Sequence, residues 1–72
     1  INRDAVDQLH QRRPFEPFTI RLSGGEAHEV RHPEYLAVGK QRLVVIDPET
    51  DGMAILGLLH VTSLETTSRN GV

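Results

Sequence analysis

The sequence has 72 residues, a formal net charge of −2, no cysteine and an aromatic content of 4%. A chain of this length forms one domain with a thin core, and folding buries roughly 60% of the surface that the unfolded chain exposes. The lack of cysteine excludes disulfides, thiolate metal sites and thiol catalysis, and the slightly acidic balance excludes a strong overall attraction for nucleic acid.

The N-terminal residues carry the signals of one short helix. Asn2 is a preferred N-cap, and Arg12 and Arg13 are expected in the last turn, where the helix dipole favours cations. Pro14 ends the helix, because the residue before a proline is pushed out of helical conformations. These signals predict a helix over about residues 3–12. Its narrow apolar face comprises Ala5, Val6 and Leu9.

A β-hairpin is predicted after the connector "PFEPF". From Phe18 the apolar residues recur every second position, which is typical of a strand. The segment "SGGE" at residues 23–26 predicts a tight turn, because paired glycines accept the positive φ that such turns require. The return strand is expected over residues 27–32.

The register of this hairpin has two candidates. A two-residue loop pairs Ile20 with Glu29 and puts a carboxylate on the apolar face. A longer loop with a glycine bulge pairs Ile20 with Val30 and Phe18 with His32. We prefer the second register, because a slip of one residue would bury the wrong side of the strand.

The two histidines of the return strand are the first candidates for a chemical site. The preferred register puts His28 and His32 on the apolar side. Residues four apart on a strand lie about 13 Å apart, so these two side chains cannot bind one metal ion together. No nucleophile elbow or phosphate-binding loop is present in the sequence. We therefore expect no catalytic residue, no metal, no cofactor and no enzymatic activity.

The second half of the chain predicts three further strands. Pro33 interrupts the return strand, and "EYLAV" at residues 34–38 is interpreted as a bend or short extended piece. "RLVVI" at residues 42–46 lacks polar alternation, which favours a central strand or burial on both faces. "MAIL" at residues 53–56 is expected to run antiparallel to it. A 3₁₀ turn and a last strand at residues 61–65 follow.

Together these elements predict one domain over residues 1–72, with a helix, five antiparallel strands over about residues 18–66 and a frayed tail at residues 67–72. This order resembles the Sm-like and SH3-like small β-barrels, most specifically at "MAILGLLHVTSLE". The stretch "RPFEPFTIRLSGGEAHEVRHPEY" resembles a family of short uncharacterised bacterial proteins with a helix, an Arg-Pro-Phe-x-Pro-Phe motif and a later His-Pro-Glu. These resemblances imply a five-stranded barrel and a bacterial source, but no activity.

Two functions follow as hypotheses. The first is a non-enzymatic interaction module that pairs with itself, as a dimer or ring, or docks an unknown protein through an edge strand. Its candidate pairing residues are Leu43, Val44, Val45, Val61 and Leu64.

The second hypothesis is an Sm-like RNA-binding protein that uses a basic face of Arg21 and Arg31. Both side chains point outward in the preferred register, and each phosphate that they neutralise would add salt-dependent affinity. The alternative interpretation pairs these arginines with Glu29 and Glu26, which gives a solvated face of little energetic weight.

The location of the protein is predicted from apolar runs and from the N-terminus. The longest apolar run, residues 43–46, is far shorter than the roughly 20 residues that cross a bilayer. The polar, charged N-terminal residues do not form a signal peptide. We therefore expect a cytoplasmic protein that does not contact a membrane.

Overall fold

The computed structural model describes residues 1–66, which form one α-helix, six strands and two 3₁₀ turns. The predicted frayed tail, residues 67–72, lies outside the described residues. The 3₁₀ turns are Pro33–Tyr35 and Leu58–His60. The larger elements are α1 (Arg3–His10), β1 (Phe18–Leu22), β2 (Ala27–Val30), β3 (Leu36–Val38), β4 (Arg42–Ile46), β5 (Met53–Gly57) and β6 (Val61–Thr66).

Helix α1 begins where the sequence predicts and ends two residues earlier. Oδ1 of Asn2 accepts a hydrogen bond from the backbone N–H of Ala5 at 3.1 Å, which confirms the N-cap. Val6 is completely buried. Arg12 and Arg13 lie beyond the last helical turn, so their predicted position within it is wrong. The Arg13 guanidinium instead donates to the carbonyls of His10 and Arg12.

The turn of the β1–β2 hairpin has three residues, 23–25. The N–H of Leu22 donates to the carbonyl of Glu26 at 2.9 Å, and the N–H of Gly25 donates back to the carbonyl of Leu22 at 3.0 Å. Gly25 has a φ of 97°, a conformation that an L side chain rarely adopts. A glycine in this conformation is what the predicted bulge-type turn requires.

Neither predicted register of the hairpin is the observed one. Phe18 lies opposite Val30, and Ile20 lies opposite His28. The preferred register is therefore wrong by two residues. A shift of two leaves every side chain on its predicted face, so Val30 is buried and His28 is half-buried. His32 lies beyond the end of β2 and is exposed, which corrects its assignment to the apolar side.

The strands form two antiparallel three-stranded sheets, in the orders β2-β1-β6 and β3-β4-β5. The predicted five-stranded barrel is therefore wrong, because six strands are present and the two sheets do not close into one. The additional strand is β3, which lies within the segment interpreted as a bend or short extended piece. It is only three residues long and pairs with β4, so that Leu36 faces Val45. The central position predicted for β4 is confirmed.

The core fills the space between the two sheets and α1. Every buried side chain in the described part of the chain is apolar. The core comprises Val6, Phe18, Ile20, Val30, Leu36, Leu43, Val45, Leu56, Leu58 and Val61. In residues 1–66 no helix is long and apolar enough to cross a membrane.

Candidate interaction surface

The two arginines of the predicted nucleic-acid face are held by carboxylates. Nε of Arg21 donates to Oε2 of Glu65 at 2.9 Å, across the β1–β6 pair. Arg31 follows the end of β2; its Nε donates to Oε1 of Glu29 at 3.1 Å, and its Nη1 lies 3.5 Å from Oε2 of Glu49. Each arginine side chain is about half exposed, so these pairs contribute little to stability.

The carboxylates around Arg31 also affect its titration. The hydrogen bond that Arg31 donates to Glu29 is the main cause that raises the pKa of Arg31, and the charges of Glu29 and Glu49 act in the same direction. The guanidinium therefore stays cationic, with two carboxylates already facing it. A phosphate would have to compete with both.

The predicted pairing residues on β4 do not lie at a free edge. Leu43, Val44 and Val45 are in the central strand of their sheet, where β3 and β5 occupy both sides. Leu43 and Val45 are also buried in the core. The prediction that another chain pairs at these residues is therefore wrong, because their backbone groups already have partners.

The predicted pairing residues on β6 do lie in an edge strand. β6 is the outer strand of the β2-β1-β6 sheet. The side chain of Val61 is buried in the core, and Leu64 packs against the core from a half-buried position. The side chains of these two residues are therefore not available to another chain, and pairing along the backbone of β6 stays a prediction.

A continuous apolar surface covers the outer side of the β3-β4-β5 sheet. Met53 and Ile55 on β5 are 67% and 63% exposed. Ile55 lies opposite Val44, and Met53 lies opposite Ile46. Ala37 on β3 lies on the other side of Val44 and is exposed. We call this surface the apolar face; it comprises Ala37, Val44, Ile46, Met53 and Ile55.

The apolar face ends at the free edge of β5. The N–H of Asp47 donates to the carbonyl of Gly52, and the N–H of Leu58 donates to the carbonyl of Gln41. Antiparallel pairs alternate between bonded and non-bonded residues, so the even-numbered residues of β5 turn their backbone groups toward β4. Met53, Ile55 and Gly57 therefore turn theirs away from the sheet. These residues make no other backbone hydrogen bond within residues 1–66.

Opposite charges lie at the two ends of the β5 edge. The loop before β5 contains Asp47, Glu49 and Asp51, and we call it the acidic loop. At the other end, Arg42 lies opposite Gly57 and follows Lys40 in the turn between β3 and β4; we call residues 39–42 the basic turn.

The two cations of the basic turn have no carboxylate partner in the described part of the chain. The ion pairs of residues 1–66 involve the other arginines, Arg3, Arg12, Arg21 and Arg31. Arg13 binds backbone carbonyls instead. Lys40 and Arg42 are both exposed. The basic turn is therefore the place where an anionic group from another chain meets the least competition.

An open groove runs between the edge of β5 and the β1–β2 hairpin. One part, of about 360 Å³, lies between β2 and the acidic loop. A second part, of about 570 Å³, lies between the hairpin turn and residues 54–57 of β5. His28 and Ala54 border both parts, which makes the groove continuous. The free edge of β5 is thus reached from open space.

Two of the histidines hold parts of the chain together. The ring of His32 packs on that of Tyr35, with centroids 5.7 Å apart. Nε2 of His10 donates to the carbonyl of Pro33 at 2.8 Å, which ties the end of α1 to the first 3₁₀ turn. Within residues 1–66, no three histidine, aspartate or glutamate side chains are grouped so that they could hold a metal ion.

Neither the sequence nor the fold provides a relative from which function could be transferred. No protein-family model, curated protein or solved structure matches the chain.

The feature that sequence reasoning missed is the β5 edge. The sequence indicates this edge in one way. In "RLVVI" and "MAIL", every residue on the outer side of the sheet is apolar except Arg42.

Proposed function

We propose that the chain is a non-enzymatic interaction module that self-associates through edge strand β5. The observation that carries this proposal is an edge strand with five uncharged residues and two well-exposed large apolar side chains, Met53 and Ile55. Monomeric proteins normally protect such an edge with a charged side chain, a proline or a β-bulge. β5 has none of these, and strand pairing is a common way to use a free edge.

The other free sheet edges in residues 1–66 are less suited to pairing with another chain. β3 is three residues long. β2 carries Glu29, which is bound to Arg31. β6 carries Glu65, which is bound to Arg21. Charged side chains of this kind are the usual protection of a sheet edge. The ring expected from pairing at Val61 and Leu64 therefore has less support than pairing at β5.

An Sm-like or SH3-like arrangement remains our proposal for the finer description of the fold. Two features of this chain support it. The first strand, β1, lies beside the last, β6, and a 3₁₀ turn precedes the last strand. The motifs "RPFEPF" and "HPE" support a bacterial source through the resemblance given above. The cysteine-free sequence suits a reducing cytoplasm.

RNA binding through Arg21 and Arg31 is the alternative function. It has less support, because each arginine already faces at least one carboxylate within 3.5 Å. A fluorescence titration with single-stranded RNA at low and moderate salt separates the two functions. We expect no binding by the purified chain. Salt-dependent binding that is lost in the Arg21→Ala, Arg31→Ala variant would establish the alternative.

Self-association is tested by size-exclusion chromatography with light scattering over a range of protein concentrations. We expect an oligomer that dissociates on dilution, and we expect Ile55→Lys to weaken it at least about tenfold, since a like charge from each copy at the paired edge costs more than about 1.4 kcal/mol. The matched control is Leu59→Lys, which adds the same charge at a position that is 96% exposed and outside the strands. A wild-type chain that stays monomeric at the highest concentration would overturn the proposal.

A further inference from the structure

We propose that two copies of this chain pair β5 with β5 in antiparallel orientation, with Ile55 on the two-fold axis. The two β3-β4-β5 sheets then form one continuous sheet with three strands from each copy. This inference rests on the self-association proposed above and specifies its geometry. It describes a closed dimer, whereas pairing between β5 and β6 would build a ring or an open chain.

The backbone of β5 fits this register. Met53, Ile55 and Gly57 are the residues whose N–H and C=O groups turn toward the free edge. With Ile55 on the axis, Ile55 faces Ile55 and Met53 faces Gly57 of the second copy. Every residue with free backbone groups then lies opposite another such residue, as an antiparallel ladder requires. A shift of the axis by one residue would leave part of the edge unpaired.

The side chains of β5 also complement one another in this register. Met53, the longest side chain of the strand, lies opposite Gly57, which has none. On the inner side, Ala54 lies opposite Leu56. The ring of His60 borders the space over Gly57, 3.3 Å from where a Cβ would lie. A methionine from the second copy therefore meets an imidazole ring, a favourable contact for a thioether.

The charges at the two ends of β5 also complement each other in the antiparallel register. In the antiparallel dimer the N-terminal end of one β5 lies beside the C-terminal end of the other. The acidic loop of each copy then approaches the basic turn of the other, and this contact occurs twice. Arg42 lies one strand away from β5, so about 10 Å of lateral distance separates it from the partner strand, which a long side chain covers in large part.

Cysteine cross-linking tests the geometry directly, because the chain contains no cysteine. In the proposed register the two Ile55 residues form a bonded antiparallel pair with Cα atoms about 5.5 Å apart, within the range that a disulfide spans. We expect Ile55→Cys to form a covalent dimer under mild oxidation. The control is Leu59→Cys, whose two copies lie at opposite ends of the paired strands and are expected to stay uncross-linked.

A charge-reversed variant tests the ends of the interface by light scattering. We expect Lys40→Glu with Arg42→Glu to weaken the dimer about tenfold or more, because the variant places like charges opposite the acidic loop of the second copy. Arg12→Glu with Arg13→Glu changes the net charge equally, at the end of α1, and is expected to leave the dimer unchanged.

The outcomes separate the geometry from the proposed function. An Ile55→Cys chain that does not cross-link, while the wild-type chain remains an oligomer, overturns the two-fold β5 pair and leaves self-association standing. Equal cross-linking by Ile55→Cys and Leu59→Cys also overturns it, because collision and not register would then be the cause. A monomeric wild-type chain overturns the inference together with the function on which it rests.

Discussion

Truncation of Leu43 to alanine tests the assignment of β4 as the central strand of its sheet. Leu43 is fully buried and lies opposite Val38 on β3 and Leu56 on β5. A Leu→Ala change in a core costs about 2–5 kcal/mol, through lost burial and the cavity that remains. A domain of 72 residues has a total free energy of unfolding of about 4–11 kcal/mol, from about 0.05–0.15 kcal/mol per residue. The variant is therefore expected to lose a large share of its stability.

Urea unfolding followed by circular dichroism measures this loss. A small domain has an m-value of about 1 kcal/mol per molar urea, so the midpoint is expected to fall by about 2 M or more. The matched control is Leu59→Ala, the same chemical change at a side chain that is 96% exposed, and it is expected to stay within about 0.5 kcal/mol of the parent. Both variants are made in the Ile55→Lys background, so that self-association does not contribute to the measured stability. Equal losses at the two leucines would refute the assigned core.

Three further outcomes follow from local geometry and are measured by the same unfolding assay. Gly25→Ala is expected to cost about 1–2 kcal/mol, because residue 25 has a φ of 97°, whereas Gly24→Ala meets only the flexible end of a glutamate side chain and is expected to cost much less. Asn2→Ala is expected to cost about 1 kcal/mol through loss of the N-cap, and Asn2→Asp is expected to retain most of it; equal losses would contradict the capping role. A double-mutant cycle on Arg21 and Glu65 is expected to give a coupling below about 1 kcal/mol that shrinks with salt, since both side chains are about half exposed.

Local signals in the sequence were sufficient for the helix start and the type of hairpin turn. A capping residue acts within one turn, so Asn2 alone locates the beginning of α1. The register was missed because Gly24 and Gly25 are adjacent and chemically equivalent, and the sequence does not say which takes the positive φ. The predicted face of each side chain within β1 and β2 is nevertheless correct, because the apolar pattern depends only on alternate positions; His32 lies beyond the end of β2.

Tertiary pairing decided the features that the sequence did not predict. β3 has three residues and follows a 3₁₀ turn, so nothing local distinguishes it from a bend. Its extended conformation comes from pairing with β4, where Ala37 meets Val44. The exposure of Met53 and Ile55 was missed for a related reason. A strand with apolar residues on both faces is predicted to be buried on both. Whether a second layer covers each face depends on the tertiary arrangement, which the sequence of the strand does not show.

The segment "HEVRHPEY" at residues 28–35 contains two histidines, two glutamates, an arginine and a tyrosine, and several of these side chains have structural roles. Arg31 is held by two glutamates. His32 packs on Tyr35, and the carbonyl of Pro33 accepts the hydrogen bond from α1. The number of reactive groups in a short stretch is a poor guide to chemistry here, because a strand followed by a corner brings its two faces and its turn residues together in the sequence but separates them in space.

The two sheets of this chain provide an internal comparison that favours a partner for one of them. The outer side of the β2-β1-β6 sheet carries Thr19, Arg21, Glu29 and Glu65, with Arg21 bound to Glu65. The outer side of the β3-β4-β5 sheet carries the apolar face. The outer side of each sheet faces away from the core, so packing within one copy does not require apolar residues on either outer side. Polar residues therefore cover the first sheet as they would in any monomer. The apolar face of the second sheet borders the longest edge strand of the described residues that carries no charge, and pairing at that edge brings the exposed Met53 and Ile55 side chains against the second copy.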